Sequence, residues 1–289
     1  MRWSVAASYN PLIATDVVVR RAGGDQSFVL LDCRFDMMRP SWGEEEYRSA
    51  HIPGARYAHL ERDLSGPVTP STGRHPLPSR EAWLAKVRSW GISADTHVVV
   101  YDESKGQFAA RAWWMLRWLG IQNVSLLDGG CKAWAYARAP VTIHVPKPVA
   151  TTLEVAAPLV NLVTTEQVVK NLSEGWMLLD ARAPERFSGL VETLDNVAGH
   201  VPGARNYPFV GSVGLDSKLR PARELRQRFT EMFGQIPPDR VMHMCGSGVT
   251  SCLNVLSMEV AGLPGSALYA GSWSEWIRVP ARPVAKGSV

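Results

Sequence analysis

The sequence predicts an α/β protein built from two tandem copies of one domain, each a parallel sheet flanked by helices. The chain has 289 residues, about twice the usual length of a domain, and its 46% hydrophobic content is sufficient for two cores. Short apolar runs without polar alternation are typical of buried parallel strands. Segments with helical character lie between these runs, and strands that alternate with helices favour the α/β class.

The two halves of the chain repeat four short blocks in the same order. The separation is 148 residues for the first pair and 149 for the second. Four matched blocks in one order indicate a duplicated domain. The pairs are 28–34 with 176–182, 50–56 with 199–205, 98–102 with 241–245, and 128–134 with 270–276.

Individual strands and helices follow from local patterns in the first copy. The runs Val29–Leu31 and Val98–Val100 are predicted strands, since they are apolar without alternation. Helices are predicted over 81–91 and 109–120, where Gly91 and Gly120 are suitable C-terminal stops.

A proline-bearing stretch separates the two copies. It begins at Val145 and shows no helical or strand periodicity, so we predict an extended linker over 145–157. The N-terminal domain then covers 1–144 and the C-terminal domain covers 158–289.

Composition limits the possible partners. The net charge of +4 is dispersed, which argues against nucleic acid and is compatible with a small anionic substrate. No apolar run is long enough to cross a membrane, and 1–10 lacks the apolar core of a signal peptide. Four cysteines without a Cys-x-x-Cys pair predict reduced thiols in a cytoplasmic protein, and no metal site is expected.

One cysteine stands where chemistry is expected. Cys245 lies between an apolar segment and a predicted helix over 251–261. At this position the free N–H groups of the first helical turn and the helix dipole favour a thiolate. We expect Gly246 and Gly248 to adopt positive φ values, so that successive N–H groups converge on the sulfur. Ser247 and Thr250 offer hydroxyl donors to the same sulfur.

The loop Cys245–Thr250 resembles the active-site loop of the 3-mercaptopyruvate sulfurtransferases in the rhodanese family. The blocks 180–182, 200–204 and 271–276 resemble the same family in its order, over nearly the whole chain. The resemblance implies two rhodanese-like domains, sulfur carried as a persulfide on Cys245, and no cofactor. The first copy has Asp102 at the cysteine position and lacks the loop, so we expect it to supply structure and part of the cleft wall.

The resemblance also implies how the donor is bound. Arg186 matches the family's substrate-binding arginine and suits a carboxylate because it binds bidentately. Together with it, Gly246, Gly248, Val249 and Thr250 are the expected donor-binding residues. Many relatives carry a second substrate arginine, but this chain has none between Phe187 and Ala204. Arg74 in the first domain is a candidate for that position.

A histidine is the expected proton carrier. The segment 74–78 resembles the family's loop with a histidine that cooperates with the catalytic cysteine and the loop serine. By this resemblance His75 acts as acid and base, Ser247 links it to the sulfur, and Glu61 orients it. An imidazole that titrates near neutrality suits this role.

Alternative functions differ in the donor or in the chemistry. Thiosulfate sulfurtransferases usually carry Arg and Lys inside the loop, whereas 246–250 is neutral here, which favours 3-mercaptopyruvate. A phosphatase of this fold needs an arginine that closes the loop, and Ser251 stands six residues after Cys245 instead. A non-catalytic sulfur-relay module stays open. The expected acceptors are cyanide or a thiol, either thioredoxin-like or of low molecular weight.

Overall fold

The computed structural model describes residues 9–22 and 27–287 and contains two parallel sheets of five strands each. The strand order is the same in both, which confirms the duplication. The first sheet is ordered β1-β5-β4-β2-β3, with β1 at Leu12–Ile13, β2 at Phe28–Asp32, β3 at Arg56–Tyr57, β4 at His97–Tyr101 and β5 at Val124–Leu127. The second is ordered β6-β10-β9-β7-β8, with β6 at Asn161–Leu162, β7 at Met177–Asp180, β8 at Arg205–Asn206, β9 at Val241–Met244 and β10 at Ala267–Leu268.

Helices flank both sheets, as the α/β prediction requires. In the first domain they are α1 at Thr15–Arg21, α2 at Trp42–Ser49, α3 at Arg80–Ser89, α4 at Ala109–Trp118 and α5 at Gly130–Tyr136. In the second domain they are α6 at Thr165–Ser173, α7 at Pro184–Phe187, α8 at Ala222–Phe233, α9 at Ser251–Val260 and α10 at Ser272–Trp276. Short 3-10 turns cover Phe209–Ser212 and Pro238–Arg240.

The predicted helices of the first domain are present and end close to the expected glycines. Helix α3 begins one residue early because the Ser79 hydroxyl caps it by accepting the N–H of Ala82 at 3.1 Å. Gly91 and Gly120 follow the last turns of α3 and α4 with φ values of +75° and +87°. Each therefore occupies the left-handed position that commonly ends a helix.

The stretch between the two matched domains is extended and bound to the first domain. The Arg88 guanidinium donates to the carbonyl of Leu153 at 2.7 Å, and the N–H of Ala156 donates to the carbonyl of Leu119 at 3.0 Å. These bonds hold 145–157 along helices α3 and α4 instead of leaving it as a free spacer.

Helices α4 and α9 bring the domains together. One buried hydrophobic cluster includes Trp113 and Trp114 of α4 with Leu253 and Leu256 of α9. Because α9 begins directly after the cysteine loop, this packing turns the loop of the second domain toward the first domain.

Candidate active site

Cys245 follows β9 and lies in the turn that leads into α9. The residue is buried, with 2% of its surface exposed. Its N–H donates to the Ser272 hydroxyl at 3.0 Å, and its carbonyl accepts the N–H of Trp273 at 3.0 Å. The start of α10 thus holds the cysteine backbone from outside the loop.

The surroundings of the sulfur favour the thiolate. Burial raises the pKa of the Cys245 thiol, but hydrogen bonds from the hydroxyls of Thr250 and Ser251 and from the N–H groups of Ser247 and Ser251 lower it more. The pKa therefore lies below its usual value. The Ser251 hydroxyl donates to the sulfur at 3.5 Å. A thiolate held by several donors is the reactive form of cysteine.

The two loop glycines serve different purposes. Gly248 has a φ of +74°, and a Cβ there would lie 2.2 Å from the carbonyl oxygen of Ala270. The expectation that Gly246 also has a positive φ is wrong, since it is not among the positive-φ glycines. A Cβ on Gly246 would instead lie 3.0 Å from Arg74 Nη2 and 3.5 Å from Arg186 Nη1. The missing side chain leaves room for two guanidinium groups.

Arg74 and Arg186 come together beside the cysteine although they belong to different domains. Arg186 donates to Glu192 at 2.7 Å and to Asp195 at 3.2 Å, and Arg74 is paired with the same Asp195. Burial raises the pKa of Glu192, but the hydrogen bond from Arg186 helps to bring it below its usual value. Burial raises the pKa of Asp195 above its usual value in spite of Arg74. Arg74, the candidate for the second substrate arginine, thus lies beside Arg186 at the loop.

His75 reaches the loop from the long connection between β3 and α3. Its Nδ1 lies 2.7 Å from the hydroxyl oxygen of Ser247, and both side chains are buried. Burial, followed by the charges of Arg111 and Arg74, lowers the pKa of His75 to about 3. The imidazole is consequently neutral near pH 7, so it accepts or passes a proton without a standing positive charge.

Glu61 is not brought to His75. It is exposed, and its own N–H donates to the Nδ1 of His59 at 3.1 Å. No hydrogen bond or ion pair between described residues joins its carboxylate to His75. The expected orienting role of Glu61 therefore stays a prediction without a supporting contact.

Arg111 of α4 is a residue that the sequence reasoning missed. Its fully buried guanidinium donates to the carbonyls of Gly248 and His75, each at 3.0 Å, and to that of Leu64 at 3.3 Å. No carboxylate among the described residues forms an ion pair with it. An arginine within the largely apolar α4 was the available signal, because a charge that cannot reach water needs a dedicated polar partner.

The first domain differs from the cysteine loop in sequence but holds a buried carboxylate at the equivalent position. The Asp102 carboxylate, at the position equivalent to Cys245, is buried and accepts four backbone N–H groups. The donors are Ser104 at 2.7 Å, Gly106 at 2.8 Å, and Phe108 and Ala109 at 2.9 Å. Backbone N–H groups thus converge on a fixed carboxylate in the first domain, at the position that the sulfur occupies in the second.

Residues 9–22 and 27–287 contain neither a membrane-spanning helix nor a metal-binding cluster. No helix there is long and apolar enough to cross a membrane. No group of three or more His, Cys, Asp or Glu side chains in those residues is arranged to hold a metal ion.

Comparison with known proteins identifies the family of the chain. The rhodanese-like domain family matches residues 15–137 and 164–278. A "probable 3-mercaptopyruvate sulfurtransferase" from Pseudomonas aeruginosa is 45% identical over 266 residues, covering 91% of this chain and 94% of that protein. A "putative thiosulfate sulfurtransferase" from Mycobacterium tuberculosis is 39% identical over 263 residues, covering 90% and 91%.

Solved structures agree with the sequence comparisons. SseA from Escherichia coli, titled a 3-mercaptopyruvate sulfotransferase, matches with a TM-score of 0.78 and 29% identity over 92% of this chain and 100% of that chain. The 3-mercaptopyruvate sulfurtransferase from Leishmania major matches with a TM-score of 0.81 and 28% identity over 94% and 75%. With two matched domains, a single cysteine loop and these relatives, the chain belongs to the rhodanese family and is a sulfurtransferase.

Proposed function

We propose that the chain transfers sulfur from 3-mercaptopyruvate to a thiol or cyanide through a persulfide on Cys245, with release of pyruvate. The observation that carries the proposal is the position of Arg74 and Arg186, whose guanidinium groups both approach Gly246, next to the sulfur. A pair of guanidinium groups suits a carboxylate, which binds them bidentately. The relative at 45% identity, named for this donor, supports the same choice.

In the first half-reaction the Cys245 thiolate attacks the thiol sulfur of the donor. A sulfur–sulfur bond forms, the carbon–sulfur bond breaks, and its electron pair leaves on pyruvate enolate. The proton of the donor's thiol moves to the enolate carbon through the Ser247 hydroxyl and the neutral His75 imidazole, which lie 2.7 Å apart. The products are pyruvate and a persulfide anion, which the donors around Cys245 stabilise as they stabilise the thiolate.

In the second half-reaction an acceptor thiolate or cyanide attacks the outer sulfur of the persulfide. The sulfur–sulfur bond breaks, and its electron pair returns to Cys245 as the thiolate. A thiol acceptor leaves as a persulfide and cyanide leaves as thiocyanate. Both half-reactions take place at the Cys245 sulfur, which first receives the donor's sulfur atom and then gives it to the acceptor. Neither step uses a metal or an organic cofactor.

Thiosulfate is the second candidate donor. The relative at 39% identity carries that name, and two arginines at one site attract any small anion. The stretch 246–250 nevertheless contains no charged side chain to hold a dianion at the sulfur itself. A relay module that accepts sulfur only from a partner's persulfide would turn over neither small donor.

A donor comparison on the purified protein tests the proposal. Turnover of 3-mercaptopyruvate and of thiosulfate is measured with cyanide as acceptor, beside Cys245→Ser and Arg186→Met. We expect preference for 3-mercaptopyruvate, complete loss in Cys245→Ser, and a KM raised about tenfold or more in Arg186→Met, as removal of a charge-assisted pair implies. Preference for thiosulfate would overturn the donor assignment. No turnover of either donor would favour the relay module.

A further inference from the structure

The segment 189–196 presents different side chains to solvent and to the site. Leu190 is 81% exposed and Leu194 is 40% exposed. The carboxylates of Glu192 and Asp195 instead point inward, with side chains only 3% and 4% exposed. Two acidic side chains are thus buried while their apolar neighbours face water, the reverse of the ordinary preference.

These carboxylates engage both arginines of the candidate donor site. Arg186 donates through Nε and Nη2 to both oxygens of Glu192, at 2.7 to 3.2 Å, and through Nη2 to Asp195 at 3.2 Å. The second oxygen of Asp195 accepts from Arg74. Glu192 also accepts the N–H groups of Leu194 and Asp195, at 2.9 and 3.2 Å, so the turn holds it in place.

The result is a locally balanced anion site. Arg74 and Arg186 contribute two positive charges, and Glu192 and Asp195 contribute two negative charges. Arg182 lies 3.6 Å from Glu192 but is itself paired with Asp180 at 2.6 Å. A monoanionic donor adds one negative charge to this balanced site when its carboxylate binds the guanidinium groups. A dianion adds two negative charges, so its repulsion at short range is larger.

We propose that Glu192 and Asp195 determine donor specificity: by neutralising Arg74 and Arg186 they favour monoanionic donors and discriminate against dianions. The inference rests on the proposed function for its choice of donors. The local charge around Cys245, on which it depends, can be measured without sulfur transfer.

The direct probe is alkylation of Cys245 by iodoacetate, a monoanion, and by neutral iodoacetamide, followed on the Cys245 peptide by mass spectrometry at pH 8. The ratio of the two rates reports the local charge. In Asp195→Asn and in Glu192→Gln we expect this ratio to rise about tenfold, the effect of one unit charge a few ångströms away at intermediate dielectric. The matched control is Glu185→Gln, which removes an exposed acid of α7 next to Arg186 and is expected to leave the ratio unchanged.

Donor kinetics provide the second reading. The ratio of kcat/KM for thiosulfate to that for 3-mercaptopyruvate is expected to rise about tenfold in Asp195→Asn, because the dianion gains twice the attraction of the monoanion. Wild-type preference tests the proposed function, whereas the change between wild type and variant tests the inference. An unchanged alkylation ratio in both variants, or an equal rise in Glu185→Gln, would overturn it.

If the variants fail to fold, the salt dependence of alkylation in the wild type still tests the proposal. A balanced site predicts that the ratio of iodoacetate to iodoacetamide rates changes less than about twofold between low and high salt, since screening acts only on net charge. A steep fall with salt would show that the arginines act uncompensated and would refute the proposal.

Discussion

The guanidinium of Arg111, in the first domain, lies 3.0 Å from the carbonyl oxygen of Gly248 in the cysteine loop of the second domain. The same group binds the carbonyl of His75, so one buried side chain holds both the loop and the connection that carries the histidine. Burial lowers the pKa of Arg111, and the neighbouring thiols Cys252 and Cys245 oppose that shift. The first domain, which has no counterpart of Cys245, therefore supplies a cation close to the cysteine loop.

Replacement of Arg111 is expected to affect both stability and thiol reactivity. Arg111→Met removes the guanidinium that donates to three carbonyls, which lowers the free energy of unfolding by about 3 kcal/mol. It also removes a positive charge near Cys245, so the pKa of the thiol is expected to rise. Urea unfolding and the pH dependence of iodoacetamide alkylation measure the two effects.

Arg111→Lys separates charge from geometry. It keeps the positive charge but not the fork of donors, so the pKa of Cys245 should shift less than in Arg111→Met while stability still falls. Equal thiol pKa values in the wild type and in Arg111→Met would show that Arg111 does not influence the sulfur.

Acid should destabilise the protein through two buried histidines. Burial lowers the pKa of His75 and of His243 to about 3, whereas an unfolded histidine titrates near 6.5. The unfolded state binds these protons first, so their stability contribution is complete above pH 6.5 and is lost as the pH falls toward 3. Each contributes a slope of about 1.4 kcal/mol per pH unit within that window.

Urea unfolding between pH 7.5 and pH 5 measures this slope. His243→Gln should reduce this slope by about 1.4 kcal/mol per pH unit, which is the contribution of one bound proton. The matched control His144→Gln alters an exposed histidine and should leave the slope as in the wild type. A slope unaffected by His243→Gln would show that His243 does not contribute to acid unfolding.

Cys245 should be the only one of the two cysteines near the loop to react at neutral pH. Burial raises the pKa of Cys252 to about 12, although Arg111 opposes this, and its thiol donates to the Gly248 carbonyl at 3.3 Å. At pH 7 iodoacetamide should therefore label Cys245 and spare Cys252. Cys252→Ala should keep the persulfide, detected as one added sulfur atom by mass spectrometry, and Cys245→Ser should abolish it.

Glu61 and His75 should differ in their effects on turnover. Because Glu61 is exposed, Glu61→Gln should change kcat by less than about twofold. His75→Gln removes the partner of Ser247 and should lower kcat with 3-mercaptopyruvate about 100-fold, as loss of a proton carrier implies. Steady-state kinetics measure kcat for both variants, with Arg62→Gln as an exposed control. A large effect of Glu61→Gln would restore its orienting role.

Local sequence determined the fold and the nucleophile. Apolar runs without alternation and terminal glycines specify strands and helix ends through backbone chemistry within a few residues, which is why β4, α3 and α4 were predictable. The cysteine loop was equally local, since a strand end, glycines and a helix start all lie within ten residues. The expected positive φ of Gly246 was wrong, and the residue instead leaves room for guanidinium groups from elsewhere in the chain.

The tertiary structure decided which distant groups meet at the sulfur. Arg74, His75 and Arg111 reach the loop from the other domain, and Asp195 pairs both with Arg74, 121 positions away, and with the nearby Arg186. No periodicity encodes such contacts, because they depend on how α4 and α9 pack. Sequence by itself therefore determined the candidate nucleophile and the helix that follows it, whereas the packing of the two domains decided which charged groups and which histidine lie beside it.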